Sequence, residues 1–328
     1  MNSPIMIGIG AGLVSAVLFA STMTGSTLAI ILFYVTALPG LLAGLAWGTS
    51  AAFVSAIVGT ALAGILLAPI AGLGYFLTLG LPIAILSYLA LLARPSDDGA
   101  QDEQASPATM EWYPVGRLVT CAAFMAGGVA ALTIPLFGMD IETYRTNLQE
   151  LLEKTFLNQM PEGLPEGFDK DNMGPVMELL VRALPAASAI VWFSVMLLNL
   201  WTAARVATVS GRAIRPWPDI SAMTYPPAVA LGFVASLLGT FAPGILSIIA
   251  TGFAGAFLLA YVLLGLVVLH VMAGKTAYKF VLLSALYVGI FVFGWFSLVV
   301  AFVGIGDPLM KFRERSINSG STPPTDTD

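Results

Sequence analysis

Of 328 residues, 58% are hydrophobic and only 10% are charged, against roughly a quarter charged in soluble domains. That balance excludes an ordinary soluble fold, and a net charge of −5 removes the electrostatic case for nucleic acid as the main partner. A single cysteine, Cys121, and a single histidine, His270, allow neither an internal disulfide nor a Cys/His zinc site, and no metal or other cofactor is expected.

The first charged side chain is Arg94, so residues 1–93 form a charge-free membrane half. At about 20 residues per crossing such a run holds four transmembrane helices, predicted near 5–24, 27–46, 50–70 and 74–93. The expected breaks are Thr24 to Ser26, Trp47 to Ser50 and Ala71 to Gly74. Residues 1–7 carry no Lys or Arg, so the first helix reads as a retained span rather than a signal peptide. Residues 94–115, with Pro95, Asp97, Asp98, Asp102, Glu103 and Pro107, read as a hydrophilic linker.

The second membrane half, 116–306, fits helices near 116–138, 178–204, 222–242, 245–272 and 279–304. Segment 222–242 is the weakest, because Pro226 and Pro227 open it and Pro243 and Gly244 close it. The expectation is an all-α polytopic transmembrane bundle of nine helices, with eight as the alternative. Residues 307–328, rich in Ser, Thr, Pro and Asp towards the end, read as a polar disordered tail.

Between Met139 and Glu178, nine carboxylates (Asp140, Glu142, Glu150, Glu153, Glu162, Glu166, Asp169, Asp171 and Glu178) face only Arg145, Lys154 and Lys170. Within this acidic loop, 139–177, the apolar residues Ile141, Tyr144, Leu148, Leu151, Leu152 and Phe156 recur at helical spacing. The spacing predicts one amphipathic helix over 140–158, ended by Pro161, Gly163, Pro165 and Gly167. The loop is either a lid over an outward-facing cavity or an attractive field for cationic solutes or, the favoured reading, a solvated connector whose stripe packs on neighbouring helices. Glu178 and Arg182, one turn apart, are expected to pair.

Lys and Arg in short loops set orientation. Arg205, Arg212 and Arg215 mark one loop as cytoplasmic, and Lys275 with Lys279 marks the next. Nine helices then place the amino terminus inside and the acidic loop outside, but put Lys311, Arg313 and Arg315 outside, against the rule.

Small residues recur every fourth position at Gly8, Gly12, Ala16 and Ala20, and again at Gly40, Gly44 and Gly48. Such stripes let helix backbones approach closely. Chemistry is sparse by contrast. His270 lies at a helix end with no buried acid, and no Gly-x-Ser-x-Gly elbow, His-Glu-x-x-His pair or phosphate-binding loop occurs, so no enzyme is expected. No carboxylate falls in mid-membrane, which argues against a self-sufficient proton-coupled transporter. Asn199, Trp192, Tyr261 and Tyr75, together with Trp201, are the candidate cavity-lining residues.

The uncharged Gly-rich helices, with Gly8-x-x-x-Gly12-x-x-x-Ala16 and Pro39-Gly40-Leu-Leu-Ala-Gly44-Leu-Ala-Trp-Gly48, resemble the YybS-like bacterial membrane family. So do Leu263-Leu-Gly265-Leu-Val-Val-Leu-His270 and Gly304-Ile-Gly306-Asp307 followed by Phe312-Arg313. That family is in turn distantly similar to the S components of energy-coupling-factor transporters. The resemblance implies a small-molecule-binding subunit in a bacterial inner membrane, energised by a separate transmembrane coupling subunit with ATPases. It also implies that Gly8, Gly12, Ala16 and Ala20 form the docking face. Two departures stand beside it: S components are typically six-helix proteins of about 200 residues, and no vitamin-site motif is present. The alternative is a non-transporting membrane scaffold or assembly factor.

Overall fold

The computed structural model describes residues 3–95, 110–159 and 170–313. The charge-free half contains α1 (Pro4–Ala20), α2 (Thr27–Tyr34), α3 (Leu38–Trp47), α4 (Thr49–Leu66), α5 (Pro69–Tyr75) and α6 (Leu81–Leu91). With their short flanking turns these give four runs long and apolar enough to cross a bilayer: Pro4–Thr24, Thr27–Trp47, Thr49–Leu66 and Pro69–Leu91. The third break falls at Leu67 and Ala68 rather than at the expected Ala71 to Gly74, which is helical. The reason is Pro69, which suits the first turn of a helix but not its interior. Gly72 then sits in the helix because a side chain there would strike Gly64 and the Thr60 carbonyl of α4.

The linker's ends are more ordered than a solvated connector. Strands β1 (Ala93–Pro95) and β2 (Met110–Trp112) pair antiparallel, with Arg94 opposite Glu111 and ion-paired to it at 2.7 Å. The linker's centre, 96–109, lies outside the described residues.

The second half contains α7 (Val115–Thr133), α8 (Ile141–Gln159), α9 (Lys170–Val209), α10 (Pro227–Gly239), α11 (Ile245–Ala273), α12 (Lys279–Val292) and α13 (Phe296–Met310). Three further crossing-length runs lie here, Val115–Leu136, Gly174–Val209 and Ile245–Ala273, making seven among the described residues. The other two expected spans differ. Segment 222–242 keeps only the 13 residues of α10 as helix, about 20 Å at 1.5 Å per residue and short of a hydrocarbon core of about 30 Å. Its leading residues are non-helical and run along α11, where the Tyr225 hydroxyl donates to the Ala260 carbonyl at 2.8 Å. Segment 279–304 breaks at Phe293 to Trp295, around Gly294, into α12 and α13. The predicted tail also starts too early: Asp307 to Met310 complete α13. Residues beyond 313 lie outside the described residues.

Helix α8 matches the amphipathic expectation, and its stripe packs on the protein. Tyr144 and Leu148 are buried in a satellite cluster with Ile134, Val181 and Ile248, at one end of α7, α9 and α11. Ile141 and Leu152 border that cluster, whereas Leu151 is exposed. The side chain of Phe156 and the terminator residues 160–169 lie outside what is described. Glu178 and Arg182 form an exposed ion pair one turn apart.

Backbones touch where the small residues fall, as expected where lipid offers no hydrophobic drive for helix association. A Cβ on Gly8 would lie 2.7 Å from the Ala51 carbonyl, and one on Gly12 2.7 Å from that of Ser55. The face holding Gly8, Gly12 and Ala16 is therefore filled by the chain's own α4, with Ala20 half-buried beyond it. The opposite face of α1, bearing Ile5, Met6, Ile9, Leu13 and Val17, is the exposed one. Gly40 and Gly44 fit against Ile83, Ser55, Ser87 and Ala52, and Gly48 takes a φ of +101° at the turn between α3 and α4. In the second half α11 and α13 cross at Gly265 and Gly304, where a side chain on either would collide with the partner's backbone. One continuous core joins the two halves through Leu41, Ile83 and Leu86 on one side and Ala126, Phe193, Phe257 and Leu264 on the other.

Candidate functional site

The four polar and aromatic candidates do not converge. Asn199 is buried on α9, and its Nδ2 donates to the carbonyls of Tyr34, at 2.7 Å, and Val195, at 2.8 Å. The Tyr34 carbonyl ends α2 and lacks a helical partner, so the amide ties the first half to the second. Trp192 Nε1 makes a similar tie to the Thr78 carbonyl at 3.0 Å. Tyr75 is fully buried, with its hydroxyl donating to Ser15 Oγ at 2.8 Å beside Gly59, where no larger residue fits. Tyr261 lines a cavity of about 490 Å³ between α9, α10, α11 and α13.

A larger cavity, of about 750 Å³, opens where the last turns of α9 and α11 meet the first turns of α7. That size lies within the range of about 300–1,000 Å³ typical of small-molecule sites. Its deep wall is aliphatic: Leu118 and Val119 from α7, Leu197 and Leu200 from α9, Leu263 and Val267 from α11. The loop between α9 and α10, called the cover below, completes the lining with Arg215-Pro216-Trp217-Pro218. Proline on both sides of Trp217 fixes two backbone angles and limits the residues before them, which stiffens the segment.

Cations hold this cover by stacking on aromatic faces. The Arg205 guanidinium lies 4.8 Å from the Trp217 ring centre, Arg212 lies 5.1 Å from Trp47, and Arg215 lies 5.9 Å from Trp112. Each such contact is worth about 0.5–1 kcal/mol where exposed. Arg215 also donates to the Ala90 carbonyl at 3.1 Å. At the far end of the loop, Arg313 donates to the carbonyls of Ser221, at 2.8 Å, and Met223, at 2.9 Å, while its guanidinium pairs with Asp307 at 2.6 Å. The end of α13 thus meets the same loop that carries Arg212 and Arg215.

The polar side chains on the wall divide by whether they are already engaged. His270 Nδ1 lies 2.7 Å from the Leu266 carbonyl and its Nε2 lies 3.3 Å from the Tyr287 hydroxyl. Thr208 donates to Ala204, and Ser221 donates to Asp219. The Asp219 carboxylate, exposed on the cover, accepts from both the backbone and hydroxyl of Ser221, and these bonds hold its pKa below the ordinary value. Arg215 has no carboxylate within ion-pair distance among the described residues, and burial pushes its pKa below the ordinary value, as desolvation of a cation does.

A family model described as "Predicted membrane protein (DUF2232)" matches residues 13–308. The chain belongs to this family. Comparison with curated proteins and with solved structures gave no match. The matched span runs from α1 into α13 and so contains both cavities and every residue that lines them.

Trp201 was among the aromatic candidates in the sequence and does line the larger cavity. Arg215 and Trp217 were legible only as a topology signal and as part of a loop. The available hint was the bracketed Pro-Trp-Pro beside an arginine, a rigid aromatic segment in an otherwise ordinary connection.

Proposed function

We propose that this multi-pass membrane protein is a small-molecule-binding subunit, similar in role to the YybS-like proteins and S components, working in a bacterial inner membrane with a separate energised coupling subunit. The observation that carries the reading is the open cavity of about 750 Å³ beside the 210–226 loop, whose volume falls within the range of about 300–1,000 Å³ of small-molecule sites. The docking face for such a partner is not the Gly8, Gly12 and Ala16 stripe, which α4 occupies, so the exposed opposite face of α1 is the place to look.

A second reading, a scaffold or assembly factor, draws on α12, which buries none of its residues and leaves Phe280, Val281, Val288 and Phe291 outward. Purification from native membranes in mild detergent, with mass spectrometry of the associated proteins, separates the two. Recovery of a transmembrane coupling subunit with ATPases supports the binding-subunit reading. Recovery of other membrane proteins alone, lost on substituting the α12 face, supports the scaffold.

A further inference from the structure

We propose that the cavity under the 210–226 loop takes a single-chain amphiphile with an anionic head, its tail between α7, α9 and α11 and its head against Arg215. This assignment rests on the small-molecule reading above and adds the class of ligand.

Four observations lead to it. The deep wall is made of aliphatic side chains from three helices and offers a tail nothing to hydrogen-bond. Elsewhere around the cavity, the unengaged side-chain groups are all donors. Arg215 has five N–H groups, of which one is seen donating, to Ala90. Trp201 and Trp217 carry indole N–H groups that meet no acceptor among the described residues, and indole accepts nothing in return. Thr208, Ser221 and His270 are already engaged.

Arginines outnumber acids around the opening. Arg205 and Arg212 flank Arg215 on aromatic faces rather than on carboxylates. The remaining acid of the cover, Asp219, is bonded into its own turn. A half-buried guanidinium without a counter-ion carries part of the cost of desolvating a charge, and a carboxylate or phosphate arriving with the ligand offsets it through charge-assisted bonds. The volume further selects one tail: about 750 Å³ suits a drug-sized body, whereas a diacyl phospholipid exceeds it.

The test uses the full-length chain, delipidated in mild detergent, with bound ligand counted by native mass spectrometry. Oleate and lysophosphatidate supply the two head chemistries on one tail, oleyl alcohol is the uncharged control, and dioleoyl phosphatidylglycerol is the two-tailed one. The expected result is one oleate or lysophosphatidate per chain, at least tenfold tighter than oleyl alcohol or the diacyl lipid. Arg215→Gln should remove that preference while leaving oleyl alcohol unchanged, and Arg215→Lys should restore part of it. Val119→Trp, which fills the deep wall, should abolish all binding, with thermal stability measured alongside to confirm folding. If oleyl alcohol binds as tightly as oleate and Val119→Trp blocks both, the anionic assignment falls and the small-molecule site stands. If no probe binds in a way that Val119→Trp blocks, both fall. Tighter binding of the diacyl lipid overturns the single-chain assignment.

Discussion

Removing Arg313 should loosen the cover of the cavity more than any other single change at this end of the molecule. Its guanidinium makes a 2.6 Å ion pair with Asp307, whose residue is 4% exposed, and donates to two backbone carbonyls of the cover. Arg313→Ala leaves Asp307 buried and unpaired and strips Ser221 and Met223 of their donor. Breaking a buried pair from one side costs about 3–5 kcal/mol, and the two carbonyls raise the expectation to the upper part of that range. Asp307→Ala leaves the guanidinium its carbonyl partners, so its cost should be lower. The double variant Asp307→Ala with Arg313→Ala removes both charges together and should cost less than the sum of the single changes. Unfolding of the four proteins in one detergent, followed by loss of the monodisperse peak, gives the cycle directly. Strict additivity would refute the argument, because two groups that do not interact cannot share a penalty.

Neighbouring glycines on α7 supply a second check. A Cβ at Gly127 would collide with the Phe253 ring, while one at Gly128 meets nothing within 4 Å; Gly127→Ala should therefore destabilise by about 1–3 kcal/mol and Gly128→Ala should stabilise by up to about 1 kcal/mol, in the same melting assay. Asn199→Ala should cost about 1–3 kcal/mol by orphaning the Tyr34 carbonyl, and should leave oleate binding unchanged because Asn199 lines neither cavity. Leu148→Ala, in the centre of the satellite cluster, should cost about 2–5 kcal/mol locally, read as faster amide exchange across α8 with the rest of the bundle unaffected. Asp140 is bonded by the Thr143 side chain and accepts from the backbone N–H groups of Thr143 and Glu142 at the start of α8, bonds that hold its pKa below the ordinary value. Its contribution to α8 is therefore present above the unfolded pKa and is lost as pH falls through the lowered folded one. Exchange in the first turn of α8 should rise on acidification through that window, and Asp140→Ala should erase the step; a pH-independent wild type would contradict it.

Composition and charge position together determined that this chain lives in a bilayer. Ninety-three residues without a charged side chain cannot be solvated, and the backbone in lipid must bond to itself, so helices follow. The same logic located α8, because a polar stretch with an apolar stripe at helical spacing forms a helix that buries its stripe. Proline chemistry was equally readable in principle: Pro69 explains the break before α5, and Pro226 and Pro227 explain the shortness of α10. What the sequence could not decide was which face of a helix meets which neighbour. Gly8 and Gly12 announce a close approach, but only the packed bundle names α4 as the partner, since any helix with a groove accepts a small-residue stripe. The candidate site shows the same division. Asn199 and Trp192 stand out in an apolar sequence because polar groups there are rare, yet they are occupied in tying the two halves together. The cavity is instead built from leucines and valines indistinguishable in sequence from any lipid-facing residue, and from an arginine 125 positions from the alanine it bonds. A void is a property of how surfaces fail to meet, and that is settled only when all the helices are in place.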